Sequence, residues 1–306
     1  MTTLAVDALD MICADLCTSA GLRAPIRRQP IRVWAKSGVE RVTFPKGRTA
    51  ILKYATHPFT AEARVLRVVA ERGVPVPKVL ATALYPDILV MLLEDLGDPI
   101  REATDADGAD AAAYLHTVDV NPVRLAVWGS QQLSEIPDSA MGLLAGLRAS
   151  GRIPQAGDLM GHLGALARRA RALTVGADMP PFGLVHGELH PTSIHIGRRG
   201  RHLIDFAMAF IGPGLLDLAT WQGTRNPPDP DRLTAQIHAY TAAGGDPRAH
   251  QPRGGLPPAV WALGWHRLWS IAWFLRQATT ATDDTDDKRV EQVIRRQLTS
   301  AVSLLC

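Results

Sequence analysis

The sequence predicts an α+β fold, in which antiparallel strands and one helix precede a larger, mainly helical part. Short alternating runs separated by turns fill the first third of the chain, whereas apolar residues at helical spacing dominate the remainder. Strand-like runs return only around residues 183–210. The chain of 306 residues is long enough for one large domain or two lobes with cores of their own.

The first third is predicted to be an antiparallel three-strand meander that follows an amphipathic helix at residues 4–19. Alternation over residues 31–35 predicts a half-buried strand, and two further strands are predicted at residues 39–44 and 48–54. Because side chains alternate along a strand, Lys53 is expected on the face opposite its neighbours in sequence. The meander therefore carries one lysine on its third strand.

A helix is predicted next, with Thr60 as its N-cap and Gly73 at its end. Glu62 falls in the first turn, where an anionic side chain is stabilised by the helix dipole. A glutamate at this position can hold the ammonium of Lys53 toward bound phosphates. The alternative is that both side chains are solvated surface charges.

The apolar run at residues 88–93 predicts a buried strand that ends abruptly before several acidic residues. We place the boundary between the lobes there, giving an N-terminal lobe at residues 1–93 and a C-terminal lobe at residues 94–306. The C-terminal lobe is predicted to be mainly helical, with helices at residues 107–117, 158–174 and 261–275 and with loops around one helix at residues 226–258.

Composition narrows the function classes. The net charge of +3 is small, and no arginine-rich tract with interleaved aromatic residues occurs, so no nucleic-acid partner is expected. No apolar run is long enough to span a bilayer, and the N-terminus does not resemble a signal peptide. Cys13 and Cys17 share one helix face, where burial is favoured over metal binding. This cysteine usage fits the cytoplasm, and we expect a monomer or homodimer.

A loop rich in polar groups precedes the later strand-like runs. It reads His186-Gly187-Glu188-Leu189-His190 and opens a predicted hairpin around residues 193–204. Crowding of histidine, glycine and carboxylate into one loop favours a catalytic role. The alternative is a metal-dependent hydrolase that uses His186, Glu188 and His190 as ligands, although the spacing is not that of a preformed zinc site.

Two aspartates follow this loop. Asp205 comes directly after an apolar strand, at a strand end where a Mg²⁺ ligand would face the loop, and the alternative is an exposed turn aspartate. Asp217 lies early in a predicted helix between leucines, so a carboxylate there needs hydrogen-bond donors. The backbone of residues 186–190 can provide them, and we interpret Asp217 as structural support.

In their order and spacing these motifs resemble the aminoglycoside phosphotransferase and choline kinase family, whose fold is like that of protein kinases. The resemblance covers residues 31–275 and rests on "AILKY", "EARVLRVVAERGVPVPKVL", "VMLLEDLGD", "LVHGELHPTSIHI" and "LIDFAMAFIGPGLLDLA". It implies a two-lobed kinase-like fold and transfer of the γ-phosphate of ATP, with Mg²⁺, to a hydroxyl of a small molecule. An antibiotic or a related metabolite, aminoglycoside-like or nucleoside-like, is the expected acceptor, so antibiotic resistance is an expected role.

The resemblance also implies residue roles in nucleotide binding. Lys53 would contact the α- and β-phosphates and Glu62 would hold it. The main chain of Leu93, Glu94 and Asp95 would meet the adenine.

The turn before the second strand and the metal site are assigned in the same way. Ser37 and Gly38, in the turn at residues 36–39, would cover the nucleotide, although this turn has a single glycine. Asp205 would bind Mg²⁺. His186 and His190 are expected to support the loop together with Asp217.

The chain departs from the family pattern of His-Gly-Asp, four residues and Asn at two positions. Glu188 stands at the aspartate position as the catalytic residue and keeps the carboxylate, one methylene further out. Ser193 stands at the asparagine position as the second metal ligand and lacks the amide oxygen. His190 and His195 are candidates to compensate, or they are scaffold. A pseudokinase that binds nucleotide without transferring phosphate is therefore the alternative function.

An acidic run at residues 283–287 has two interpretations. It can meet a polycationic acceptor, but an exposed, solvated loop is favoured. A neutral acceptor such as a nucleoside fits the sequence equally well.

Overall fold

Antiparallel pairing organises the first third of the chain, as the sequence predicts. The computed structural model describes residues 6–33, 37–85, 87–119, 125–280 and 287–306. The strands are β1 (Arg27–Val33), β2 (Ser37–Thr43), β3 (Thr49–Thr56), β4 (Val79–Tyr85), β5 (Ile88–Glu94), β6 (Phe182–Val185), β7 (Ile194–Gly197), β8 (Gly200–Leu203) and β9 (Phe210–Pro213). The helices are α1 (Val6–Ser19), α2 (Glu62–Glu71), α3 (Asp105–Leu115), α4 (Ser130–Ser134), α5 (Ile136–Ala149), α6 (Gly157–Leu173), α7 (Leu215–Trp221), α8 (Pro230–Ala242), α9 (Pro258–Thr280) and α10 (Asp287–Leu305).

Contacts within the chain group these elements into two units. The first unit takes in the described residues of 1–103 and 192–209, and the second takes in those of 104–119, 125–191 and 210–306. The hairpin β7–β8 therefore groups with the N-terminal sheet: the amide of Leu203 donates to the carbonyl of Pro75 over 2.8 Å, and that of Ile100 donates to Ile196 over 2.8 Å. The boundary between lobes expected at residue 94 stays a prediction.

The first unit is built on a five-stranded sheet in the order β1-β2-β3-β5-β4, with all neighbours antiparallel. The predicted meander and the buried strand β5 are confirmed, and β4 is an additional strand that the sequence analysis did not identify. Ala50 and Leu52 of β3 pack into a core with Cys13 and Cys17 of α1, as expected for one face of that strand. Both cysteines are buried free thiols.

The prediction of a half-buried first strand is wrong for its described part. Ile31 and Val33 are 55% and 53% exposed. The physical reason is position: β1 is an edge strand that pairs only with β2, and a bulge between Pro30 and Arg32 shifts its register. Residues 34–36, which include the end of the predicted alternation, lie outside the described residues.

Helix α2 ends as predicted but begins differently. Gly73 follows the helix with φ of 83°, a left-handed conformation that favours glycine. The predicted N-cap Thr60 is wrong, because α2 begins at Glu62 and Ala61 takes the cap position without a side-chain hydrogen bond. The acidic Glu62 occupies the first turn, where the helix dipole stabilises it.

The second unit is mainly helical, as predicted. Helix α9 is buried, with Trp261 and Trp265 fully enclosed. Strands β6 and β9 form a two-stranded sheet that the sequence analysis did not predict. Among the described helices, none is both long and apolar enough to cross a membrane.

Helix α10 packs against α9 and was not predicted from the sequence. The expectation of an exposed acidic loop is wrong for Asp287, which begins α10 and forms an ion pair with Arg152 over 2.6 Å. The other acidic residues of that run, at 283–286, lie outside the described residues.

Candidate active site

One buried ammonium lies between two carboxylates in the first unit. The Nζ atom of Lys53 donates to Oε1 of Glu62 over 2.7 Å and to Oδ1 of Asp205 over 2.6 Å. The side chains of Lys53 and Glu62 are 9% and 1% exposed, whereas that of Asp205 is 38% exposed. The structure therefore brings together three of the residues that the sequence analysis singled out, from β3, α2 and the segment after β8.

Local structure explains how these side chains converge. Lys53 lies on the face of β3 opposite Ala50 and Leu52, which are committed to the core with α1. Asp205 follows β8 with φ of 70° and ψ of 55°, an uncommon left-handed conformation for a residue with a side chain. The short 3₁₀ turn Phe206–Met208 then packs against α2, which carries Glu62.

Electrostatics keeps Lys53 charged. Burial by itself lowers the pKa of the Lys53 ammonium, but the opposite charges of Glu62 and Asp205 outweigh it, so this pKa lies above its ordinary value. The two carboxylates thus keep the ammonium charged and oriented, and a charged ammonium can donate hydrogen bonds to phosphate oxygens.

A cavity of about 320 Å³ surrounds this cluster within the first unit. This volume lies in the range of small-molecule binding sites. Apolar side chains from the sheet, from α2 and from the segments after β5 and β8 line it together with the charged cluster, and they include Ile31, Val39, Ile51, Leu66, Leu93, Leu96 and Ile204. The exposure of Ile31 on β1 is thus accounted for, since its side chain forms part of the cavity wall.

The residues expected to meet a nucleotide base lie at the end of β5. Leu93, Glu94 and Asp95 all line the cavity. The amide of Glu94 already donates to the carbonyl of Lys78 over 2.8 Å, so this donor is engaged in pairing with the neighbouring chain segment. Asp95 forms an ion pair with Arg41 over 2.8 Å, and Arg41 also lines the cavity.

The segment at residues 36–39, expected to cover the nucleotide, is described from residue 37, where β2 begins, and Lys36 lies outside the described residues. Gly38 lies against the ring of Tyr54, where an added Cβ atom would overlap the Cζ atom and the hydroxyl oxygen. Close packing between β2 and β3 therefore accounts for this glycine. Ser37 begins β2, and Val39 of the same strand lines the cavity.

Ser193 and His195 border the same region of the first unit. Ser193 is 2% exposed, and its carbonyl accepts from the amide of Ile204 over 2.9 Å, directly before Asp205. His195 lines the cavity, and burial lowers the pKa of its imidazole. Among the described residues, no group of three or more His, Cys, Asp or Glu side chains is arranged to hold a metal ion.

The loop at residues 186–190 belongs to the second unit and is held by Asp217. The fully buried carboxylate of Asp217 accepts from the amide of His186 over 2.8 Å and from that of Gly187 over 3.0 Å. These backbone donors were expected from the sequence, and both hydrogen bonds are present in the structure. Gly187 has φ of 81°, so a glycine fits the bend between these two amides.

Two members of this network were missed. Nε2 of His116 lies 3.2 Å from the Asp217 carboxylate, and its Nδ1 lies 3.3 Å from the hydroxyl of Tyr240. The position of a histidine directly after helix α3 was the single local signal for His116. Tyr240 comes from α8 and gave no local signal, because only folding brings α8 to this network.

Glu188 and His190 are half-buried in this loop. The amide of Glu188 donates to Nδ1 of His186 over 3.3 Å, so the fully buried His186 helps to shape the turn that presents Glu188. The loop thus has a rigid base formed by Asp217 and His186.

Comparisons with known proteins agree with this geometry. A model of the phosphotransferase enzyme family matches residues 37–253. No curated protein was found to match the chain by sequence.

Solved structures with similar folds include a choline/ethanolamine kinase family protein from Mesorhizobium loti, with a TM-score of 0.62, 16% identity, and coverage of 96% of this chain and 99% of that one. A macrolide 2′-phosphotransferase from Brachybacterium faecium has a TM-score of 0.57 and 19% identity, with coverage of 94% of this chain and 98% of that one. An amicoumacin kinase solved with AMP-PNP and Ca²⁺ has a TM-score of 0.56 and 12% identity, with coverage of 89% of this chain and 88% of that one. These similarities confirm the predicted kinase-like α+β fold.

Proposed function

Because this chain belongs to the phosphotransferase enzyme family, whose members act on hydroxyls of small molecules, we propose that it transfers the γ-phosphate of ATP to an antibiotic or related metabolite. The observation that carries the proposal is the ammonium of Lys53, held at 2.7 Å and 2.6 Å by two carboxylates inside a cavity in the size range of small-molecule binding sites. Phosphoryl transfer depends on such positioned charges more than on covalent participation by the protein.

Nucleotide binding is assigned to the cavity of the first unit. Lys53 would contact the α- and β-phosphates while Glu62 restrains its ammonium. The apolar walls would enclose the base, and the end of β5 at residues 93–95 would contribute its remaining main-chain groups. In this proposal residues 1–93 form the nucleotide lobe, and residues 94–306 supply the acceptor side.

The donor set also fits Mg²⁺. Asp205 offers a carboxylate that is 38% exposed, and hard cations favour carboxylate and phosphate oxygens. Ser193 is the second candidate ligand. A bound Mg²⁺ ion would neutralise charge on the transferring phosphate. Lys53 would donate hydrogen bonds to phosphate oxygens, and Asp205 would be a ligand of the metal ion.

Glu188 is the proposed catalytic residue. Its carboxylate would orient the acceptor hydroxyl and accept its proton, as an aspartate does in the family pattern. The hydrogen bonds from His186 and Gly187 to Asp217 support this role, because they restrain the backbone directly before Glu188.

Antibiotic acceptors are suggested by similar structures, which include kinases of amicoumacin and macrolides. A pseudokinase is the second candidate, favoured by the glutamate and serine at the two departures, Glu188 and buried Ser193.

A transfer assay tests the proposal. Purified protein is incubated with Mg²⁺ and ATP over a panel of hydroxylated antibiotics, nucleosides and amino alcohols, and ADP release and product mass are followed. We expect one acceptor to gain a phosphate. Glu188→Ala and Asp205→Ala should lower the rate by about 10²–10⁴-fold. Lys53→Ala should weaken ATP binding, and Glu188→Asp should retain transfer.

The control is Glu71→Ala, which removes an exposed carboxylate of α2 and should leave the rate unchanged. Full activity in Glu188→Ala would contradict the assignment of that residue. ATP binding without transfer to any acceptor would instead support the pseudokinase.

A further inference from the structure

A buried tyrosine of α8 extends the hydrogen-bond network that holds the proposed catalytic loop in the second unit. The hydroxyl of Tyr240 lies 3.3 Å from Nδ1 of His116, and Nε2 of the same ring lies 3.2 Å from the carboxylate of Asp217. That carboxylate accepts from the amides of residues 186 and 187, directly before Glu188. A chain of hydrogen bonds therefore leads from the phenol to the backbone of the loop.

Burial excludes water as an alternative partner along this chain. The side chains of His116 and Asp217 are 1% and 0% exposed, and Tyr240 is fully buried. Burial also raises the pKa of the Tyr240 hydroxyl to about 12, so this hydroxyl keeps its proton at neutral pH. Each donor in the chain consequently needs an acceptor within the protein.

The direction of each hydrogen bond follows from the groups that are present. A carboxylate only accepts, so Nε2 of His116 donates to Asp217. The Tyr240 oxygen accepts from the amide of Asp246 over 3.4 Å. Among the described residues, Nδ1 of His116 is then the acceptor that remains for the Tyr240 proton. The imidazole is accordingly neutral, with its proton on Nε2.

Two glycines allow the backbone to close around these two rings. An added Cβ atom at Gly214, directly before α7, would overlap the imidazole of His116. One at Gly245, in the loop after α8, would overlap the ring of Tyr240. The ring centroids are 5.4 Å apart. The backbone thus restricts both rings to the positions in which their polar atoms meet.

The protonation of His116 determines what the loop anchor receives. With the proton on Nε2, the imidazole adds a third donor to a carboxylate that already binds two loop amides. With the proton on Nδ1 instead, two acceptors would face each other, which is unfavourable in a buried site. The hydroxyl of Tyr240 opposes this second arrangement, because it already donates to Nδ1.

We propose that Tyr240 is a positioning residue that fixes His116 as the neutral Nε2–H tautomer. Through this imidazole it restrains the carboxylate of Asp217, and hence the loop that presents Glu188. The proposal rests on the phosphotransferase function proposed above and adds a residue to that site. Tyr240 itself contacts no reacting group and acts only through the imidazole and the carboxylate.

The state of the imidazole can be observed without any substrate. Protein labelled with ¹⁵N at histidine is studied by NMR spectra that correlate ring nitrogens with ring protons, and His116→Gln assigns the signal. We expect an unprotonated Nδ1 and a protonated Nε2 at neutral pH. Tyr240→Phe should shift the Nδ1 signal, because it removes the donor to this atom. A protonated Nδ1 in the wild type, or an unchanged Nδ1 signal in Tyr240→Phe, would overturn the proposal.

Catalysis is measured as ADP release from Mg²⁺-ATP, with water or with the acceptor found in the transfer assay. Tyr240→Phe should lower kcat by about three- to tenfold, the effect of one lost buried hydrogen bond. The affinity for AMP-PNP should stay unchanged, because the proposed nucleotide cavity lies in the first unit. The matched control Tyr114→Phe removes an exposed hydroxyl from α3 and should change neither quantity. Circular dichroism verifies that both variants are folded.

A double variant tests whether Tyr240 acts through the imidazole. His116→Gln keeps a donor near the position of Nε2 but has no ring whose tautomer can change. Adding Tyr240→Phe to His116→Gln should therefore lower kcat by less than about twofold. An equal decrease in both backgrounds would overturn the proposal, as would an unchanged kcat in Tyr240→Phe alone. A wild type that releases no ADP would instead contradict the phosphotransferase function, and the Nδ1 signal would still decide whether Tyr240 holds His116.

Discussion

His266 is a buried imidazole whose environment opposes protonation. It lies inside α9, and burial lowers its pKa from 6.5 to about 3, with a further contribution from the neighbouring Arg267. Between pH 6.5 and about 3 the unfolded chain therefore binds a proton at His266 that the folded chain does not. The folded state keeps His266 neutral throughout this range, and protonation of the unfolded chain lowers the free energy of unfolding.

We expect stability to fall as the pH decreases from 6.5 toward 3, with His266 contributing a slope of at most about 1.4 kcal/mol per pH unit. His266→Phe keeps a ring in place and removes the titrating group, so its free energy of unfolding should depend less steeply on pH in this window. Urea titrations at several pH values measure the free energy of unfolding of both proteins. His162→Phe, at an exposed position of α6, is the control, and an equal slope in wild type and His266→Phe would contradict the prediction.

At the scale of elements, helix α7 and the loop before β7 form one functional piece. Asp217 in the first turn of α7 accepts two backbone hydrogen bonds from residues 186 and 187, and His116 at the end of α3 contacts the same carboxylate. Three chain segments therefore depend on one buried carboxylate, which accepts charge-assisted hydrogen bonds of about 1.5–3 kcal/mol each.

Asp217→Asn should lower kcat by about tenfold or more. The asparagine side chain has one acceptor oxygen where aspartate has two, and its NH₂ group would face a backbone N–H donor. ATP affinity should stay near that of the wild type, since the proposed nucleotide cavity lies in the first unit. Steady-state kinetics and nucleotide titration separate the two effects. Thr234→Val, at an exposed position of α8, is a control for packing changes elsewhere, and an unaltered kcat in Asp217→Asn would argue against the role of the carboxylate.

At the scale of the whole molecule, the last helix is attached to the second unit by a partly buried ion pair. Arg152 contacts Asp287 through two hydrogen bonds of 2.8 Å and 2.6 Å and also donates to the carbonyl of Ala278 at the end of α9. This pair joins the start of α10 to the segment after α5. Such paired, bidentate geometry resists fraying of the helix start better than an exposed ion pair does.

A double-mutant cycle on Arg152→Ala and Asp287→Ala should give a coupling energy of about 1–2 kcal/mol. The more exposed pair of Arg295 and Asp158, also joined at 2.6 Å, should couple by less than about 1 kcal/mol. Free energies of unfolding from urea titration provide both values. Equal coupling in the two pairs would show that burial does not distinguish them.

Local sequence patterns were sufficient to predict strands and helices whose apolar residues follow a regular spacing. Alternation predicted β2, β3 and β5, helical spacing predicted α2, α6 and α9, and the face of Lys53 followed from the period of a strand. The same patterns failed at β1, which is an edge strand. Strand β4 and helix α10 were not identified, although Val290, Ile294, Leu298, Ala301 and Leu305 recur at helical spacing in α10. Edge position and packing partners are properties of the sheet and the core, so a local window contains no record of them.

The sequence was sufficient to predict which residues form the candidate site, but only part of the contacts between them. The sequence alone indicated Lys53, Glu62 and Asp205, because a strand lysine, a first-turn glutamate and an aspartate at a strand end occur in the order of a phosphotransferase. Folding decided that both carboxylates contact one ammonium, since residues 152 positions apart meet only through tertiary structure. It also decided the ring contacts of Phe210 with Trp128 and Trp269, because three separate segments have to pack before these rings meet.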